Sequence, residues 1–304
     1  MAESAITIAK ERQALMKLMD QGPFKVPSRR VDETLVIATW NIQNFSDRHT
    51  NRAIQYIADI CERFDIVSLQ EVKTNLRGLA RLQERLPGNY KILVTDPTGN
   101  HERFAFLYDK RTVIPTGLVC EIGFNVSGEV HEGFQLHRMP YCASFRAGRF
   151  DFVIASAHIF FGKGAKGKDM RQKEIDRLAK FIQNRANKER AKVFDRDFFA
   201  LGDFNIEQDG DRFFKALEKH NFFMPPSRRT NFGRTKTFDR IVWVKRKSFS
   251  FTDKINVVPF GKVLFQDKNP KGGRKQISDH LPLWAEFEVN KLTQELDNIL
   301  QPGG

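Results

Sequence analysis

Short apolar runs recur along this chain and stop abruptly at small polar clusters, and few folds can satisfy that pattern. Leu35 to Thr39 passes into Trp40-Asn41, Ile66 to Leu69 into Gln70-Glu71, Phe150 to Ala157 into His158, and Phe198 to Leu201 into Gly202-Asp203-Phe204-Asn205. Two further clusters follow, Phe238-Asp239-Arg240 and, behind a Lys/Arg-rich loop, Ser278-Asp279-His280. Runs of this length and composition read as strands. Polar residues at strand ends converge on one edge of a sheet and can line a site. Carboxylate, amide and imidazole are the groups that metal-assisted cleavage of a phosphate ester needs.

Between the runs the periodicity changes to helical. Ala53 to Arg63 and Leu76 to Leu86, the latter stopped by Pro87-Gly88, read as helices. Arg171 to Asn187 has Ile175, Leu178, Ala179 and Ile182 on one face. Further strands are expected at Tyr90 to Thr95, Arg103 to Tyr108, Val113 to Glu121, Met139 to Phe145, Asp239 to Val244 and Leu283 to Val289. Buried strands mixed with outer helices make an α/β sandwich. With 304 residues, 40% of them hydrophobic, and 28 Phe, the chain has enough apolar material for one large core. We divide it into an N-terminal helical extension (1–33, its helix ended by Gly22-Pro23), a single domain (34–290), and a C-terminal helix and tail (291–304, with the helix from Leu292 to Leu300).

Within the clusters, spacing decides what a shared site can receive. Glu71 at a strand end offers oxygen to a hard cation. Asp203 and Asn205 are two apart, so on an extended backbone both face one way while Phe204 faces the core. Asp279 and His280 are adjacent and would diverge in a regular strand, so an irregular turn is expected before Leu281-Pro282. Trp40, beside Asn41, reads as core.

This combination, in this order, resembles the endonuclease/exonuclease/phosphatase superfamily, and within it the deoxyribonuclease I branch, from about Leu35 to Val289. The resemblance implies a four-layer sandwich of two packed mixed β-sheets flanked by helices, with the site at one end. It implies catalytic roles for His158, His280, Asp239, Glu102, Asn205, Asn41 and Asp203, with Glu102 pairing His158 and Asp239 pairing His280. Glu71, Asp203 and Asp279 would hold Mg²⁺, or Mn²⁺, and Arg138 would contact phosphate. Two histidine–carboxylate pairs favour the deoxyribonuclease I branch, because the abasic-site endonuclease branch has a tyrosine where His158 stands. Gln43 and Lys73 depart from the pattern, standing where that branch has arginines that touch DNA. The run Gly162 to Gly167 is unusually glycine-rich for a loop there.

Charge points the same way. The formal net charge is +13, which favours polyanionic partners. Three cationic loops border the motifs: Lys163, Lys166, Lys168 and Arg171 follow His158; Arg228, Arg229, Arg234 and Lys236 precede Asp239; Lys268, Lys271, Arg274 and Lys275 precede Asp279. Together with Lys73 they are candidate nucleic-acid contacts of the kind that position a phosphate backbone without reading sequence. The expected activity is therefore metal-dependent endonucleolytic hydrolysis of DNA with little sequence preference, leaving 5′-phosphate ends. A phosphomonoesterase, a phospholipid or inositol-phosphate phosphodiesterase, and a catalytically silent nucleic-acid binder are the alternatives. Cys61, Cys120 and Cys142 are three and scattered, so they read as reduced thiols. Lys10, Glu11 and Arg12 interrupt any leader-like apolar run, and no stretch is long and apolar enough to span a bilayer. The expected location is the cytoplasm.

Overall fold

A computed structural model describes residues 5–124, 135–188, 197–268 and 272–290, with isolated positions between 292 and 300. The helix expected from Leu292 to Leu300 falls largely outside the described residues, as does Lys271.

Among the described residues, twelve strands form two six-stranded sheets. The first contains β1 (Thr34–Phe45), β2 (Ile66–Lys73), β3 (Tyr90–Val94), β4 (Glu102–Asp109), β11 (Phe251–Val257) and β12 (Leu283–Glu288), in the order β11-β12-β1-β2-β4-β3. The second contains β5 (Ile114–Glu121), β6 (Tyr141–Ala147), β7 (Phe150–His158), β8 (Phe198–Asp203), β9 (Phe222–Phe223) and β10 (Asp239–Val244), in the order β5-β6-β7-β8-β10-β9. Each sheet has a parallel pair at its centre, β1 with β2 and β7 with β8, and antiparallel neighbours outside it. Read across, the two sheets repeat one arrangement: β1 corresponds to β7, β2 to β8, β4 to β10 and β12 to β6. This internal symmetry was not legible in the sequence.

The sheets pack face to face through aromatic side chains. Phe106 meets Tyr141 at 4.9 Å between ring centroids, and Phe287 meets Phe199 at 4.9 Å and Trp243 at 5.0 Å. Much of the phenylalanine is therefore consumed between the sheets, where large flat rings fill space at low entropic cost. A buried polar patch interrupts this core near the strand ends. Ser68 Oγ donates to Ser156 Oγ at 2.6 Å from sheet to sheet, and Gln70 Nε2 reaches Ser68, Ser156 and Thr39 Oγ1. Every member is satisfied, the condition for a polar group inside a core.

Helices cover the outer faces. α1 (Ala5–Asp20) and α2 (Asn51–Cys61) lie on the first sheet, with Leu15 and Met19 of α1 fully buried. Thr50 starts α2 by accepting Ala53 N at 3.1 Å. The short α3 (Arg77–Gln83) follows β2. α4 (Gly164–Lys188) lies on the second sheet through Ile175, Leu178, Ala179 and Ile182, beside α5 (Arg212–Glu218). α6 (Gly272–Gln276) is a short turn of helix inside the last cationic segment.

α4 begins earlier than the expected Arg171, so most of the glycine-rich stretch is helix and not loop. Its first turns have Gly, Lys and exposed side chains and give no apolar period from which to read a helix. β9 and β11 were also not foreseen: β9 is two residues long, and Asp253 and Lys254 interrupt the apolar pattern of β11.

Candidate active site

The polar strand ends meet at one end of the sandwich. β7 and β8 are parallel, with Ala157 opposite Gly202 and His158 opposite Asp203. That approach requires glycine. Gly202 has φ +134°, and a Cβ there would lie 1.9 Å from Ala157 O. Antiparallel β10 sets Asp239 opposite Asp203. On the other sheet Asn41 pairs with Gln70 across β1 and β2, and Glu71 follows in a left-handed conformation, φ 62°. Such backbone costs about 1–3 kcal/mol and persists where the surroundings impose it. Here Glu71 Oε1 accepts from Asn41 Nδ2 at 2.9 Å and Oε2 from Asn44 N at 2.9 Å.

Two imidazoles are each held by a carboxylate on Nδ1. His158 Nδ1 lies 3.0 Å from Glu102 Oε2, and His280 Nδ1 lies 2.8 Å from Asp239 Oδ2. Such a partner fixes tautomer and ring orientation. Both rings therefore turn Nε2 inward, each 3.7 Å from Asp203 Oδ2. Asn41 Nδ2 also donates to that oxygen at 3.1 Å, while Asp203 Oδ1 accepts Asn205 N at 2.9 Å.

Burial drives the Glu102 carboxyl up, but His158 and Arg138 outweigh it and hold the group down at about 2. Burial likewise opposes ionisation of Asp203, and both imidazoles with Asn41 and Asn205 bring it below the usual carboxylate range. For His280, burial disfavours the cation, yet Asp239 and Asp203 raise it to about 10.

The Ser278-Asp279-His280 turn is tied to β1. Ser278 Oγ donates to Asn41 O at 2.6 Å and accepts His280 N, and Trp40 Nε1, from a fully buried ring, donates to His280 O at 3.0 Å. The adjacent side chains diverge: His280 meets Asp239, while Asp279 faces Arg274 at 3.9 Å.

Of the other expected residues, Arg138 is buried, donating to Glu102 Oε2 at 2.7 Å and to His158 O at 3.5 Å. Asn205 Nδ2 donates to Ile159 O at 2.7 Å. Lys73 lies 3.5 Å from Glu102 Oε1 and, with Lys275, lines an adjoining cleft of about 820 Å³ that also has Asn44, Arg48, His49, His101 and Arg274 on its walls. Lys163, Lys166, Lys168 and Arg229 are exposed. Arg228 donates to Ile255 O at 2.7 Å, and Arg234 stacks on Phe24 at 5.0 Å.

Arg171, counted among the loop cations, is buried instead. Its guanidinium lies between Phe161 at 4.3 Å and Phe213 at 4.4 Å and donates to Phe161 O, Gly162 O and Asn205 O. It joins the segments that follow β7 and β8. Only its place on the helical period with Ile175, Leu178 and Ile182 could have signalled this.

Glu71, Glu102 and His158 bring one ligand atom each within 4.8 Å of one another, and Asp203, Asp239 and His280 do the same. Between the triads, Glu71 and Asp203 share a single amide donor, a position where two carboxylates attract positive charge. Carboxylate oxygens, here from the buried Asp203 and the partly exposed Glu71, suit a hard divalent cation.

A family model described as the endonuclease/exonuclease/phosphatase family matches residues 38–280. The chain belongs to this family. Among its relatives, a deoxyribonuclease from a Thioalkalivibrio species is 25% identical over 301 residues, covering 91% of this chain and 79% of that protein. Danio rerio TDP2 complexed with a single-strand DNA product superposes with a TM-score of 0.57 at 14% identity, covering 84% of this chain and 98% of the other. A mannosyl-6-phosphatase from Bacteroides thetaiotaomicron superposes with a TM-score of 0.57 at 16% identity, covering 83% and 99%. At such identities the structural likeness speaks for the fold, which is the expected pair of packed mixed sheets flanked by helices. Within the endonuclease/exonuclease/phosphatase family the chain is a hydrolase of phosphate esters.

Proposed function

We propose that the protein is a Mg²⁺-dependent endonuclease that hydrolyses DNA phosphodiesters with little sequence preference and leaves 5′-phosphates. The observation that carries this reading is the pair of carboxylate-braced imidazoles whose Nε2 atoms face the same Asp203 oxygen. A diester with a poor leaving oxygen needs a proton removed on one side and supplied on the other, and two imidazoles across one carboxylate suit that task.

In this reading His280, oriented by Asp239, takes a proton from the attacking water. His158, oriented by Glu102, gives a proton to the departing 3′ oxygen. Glu71 and Asp203, with Asn41 between them, hold the cation. Bound there, Mg²⁺ would offset charge on a non-bridging phosphate oxygen and, by its own charge, favour the neutral imidazole at His280. Asn205 and Arg138 act mainly through Asp203 and Glu102, and Asp279 through Arg274. The cationic cleft beside Lys73 and Lys275, with the exposed lysines at the start of α4, favours an extended polyanion over a small phosphate ester. The deoxyribonuclease relative and the DNA-bound neighbour support the same choice.

The test offers supercoiled plasmid, single-stranded DNA, RNA, inositol phosphates and a sugar phosphate in parallel, with Mg²⁺ or with chelator. Plasmid nicking that needs the cation and leaves ligatable 5′-phosphates is expected. Release of inorganic phosphate without nicking would replace the nuclease reading with a phosphomonoesterase.

A further inference from the structure

Cys120 on β5 and Cys142 on β6 are direct partners in an antiparallel register, between Val119 opposite Ala143 and Glu121 opposite Tyr141. Two residues along, Ile122 N donates to Pro140 O at 2.8 Å. Antiparallel hydrogen bonding repeats every second residue, so the cysteines occupy a hydrogen-bonded pair, in which facing Cα atoms lie about 5.5 Å apart. Disulfides bridge Cα separations of about 4.4–6.8 Å. Directly opposed side chains also leave the sheet on the same face.

That face is the one under α4, where Cys142 joins the apolar cluster of Ile122, Leu178 and Ile182 and Cys120 packs at its margin. The pair is asymmetric. Cys120 is half-buried and Cys142 buried. The Cys142 contact, opposed by burial and helped by Arg185 on α4, brings the Cys120 thiol down to about 7, while Cys142 is pushed up. One sulfur is thus open to reagent and the other waits behind it, the arrangement of an attacking and a resolving thiol. Cys61 lies fully buried in the other core cluster.

We propose that Cys120 and Cys142 are a reversible modification site, a dithiol that peroxide-class oxidants close into a cross-strand disulfide joining β5 to β6. The Cys120 thiolate attacks one peroxide oxygen, the O–O bond breaks, and the hydroxide that leaves takes up a proton to become water. The Cys142 sulfur then attacks the sulfenic sulfur. The S–S bond forms as the S–O bond breaks, and the Cys142 proton departs with that oxygen as a second water. Two thiols and one peroxide give one disulfide and two waters, so sulfur loses the two electrons that peroxide gains. A half-exposed bridge remains open to reduction by thiols.

The experiment treats the native, intact chain with hydrogen peroxide, blocks remaining thiols by alkylation, and reads intact mass and an unreduced peptide map. The expected result is a loss of about 2 Da, the two hydrogens of a disulfide, and one peptide cross-linked through Cys120 and Cys142, both reversed by dithiothreitol. Cys142→Ser should instead leave a sulfenic acid at Cys120 that a dimedone-type probe captures. Sulfinic acid at Cys120 with Cys142 still alkylatable, a cross-link through Cys61 or between chains, or an unchanged mass would each overturn the proposal.

Discussion

Glu102 holds a guanidinium and an imidazole at once, accepting from Arg138 Nε at 2.7 Å and facing His158 Nδ1 at 3.0 Å. Glu102→Gln keeps the side chain's shape and removes its charge. The carboxyl's descent from 4.5 to about 2 corresponds to roughly 3 kcal/mol. Solvent screening at the half-buried Lys73 side of the pair reduces this to about 2 kcal/mol. Because the folded-state value lies below the unfolded one, this stability is present above pH 4.5 and is lost as the pH falls toward 2. Urea unfolding at neutral pH should place the variant about 2 kcal/mol below the parent. The gap should narrow as both are titrated down through that window. The glutamine amide cannot stabilise an imidazolium, so plasmid nicking should fall by about 10²-fold or more. Nicking at the parental rate would refute the role given to His158. A stability gap that does not change across the window would refute the electrostatic account.

Further outcomes are expected. His280→Ala should lower nicking by about 10² to 10⁴-fold with an unchanged circular dichroism spectrum; Asp239→Asn removes a charge that raises the His280 value, so the rising limb of its pH–rate profile should move to lower pH. Gly202→Ala must displace Ala157 O from 1.9 Å, and the cost should be roughly 2–4 kcal/mol in chemical denaturation together with loss of activity. Chelator should abolish nicking and Mg²⁺ restore it, while Mg²⁺ should raise the melting temperature of the parent and have little effect on Glu71→Gln.

How much of this was legible depended on whether a residue's partner was near it in sequence. An apolar run that ends in Asn41, Glu71, His158 or Asp203 announces itself locally, and the strand ends were placed from that pattern. Glu102 and Asp239 as histidine partners came from the resemblance, because nothing in either segment says which imidazole it will face. Contacts fixed by register left no local trace. Gly202 against Ala157 and Cys120 against Cys142 depend on which strands become neighbours, and Ser68 against Ser156 on how the two sheets stack. Arg171 was misread because a buried guanidinium between two phenyl rings looks, in sequence, like one more cation after Lys168.

The repeated sheet order has a consequence for how the molecule fails. Glu71 and Glu102 come from one half and Asp203 and Asp239 from the other, so the reactive groups lie along the seam where the halves dock. Neither half alone carries both sets of carboxylates. Turnover should therefore disappear in the same cooperative step in which the inter-sheet aromatics separate, which makes catalysis an intrinsic reporter of the docked state.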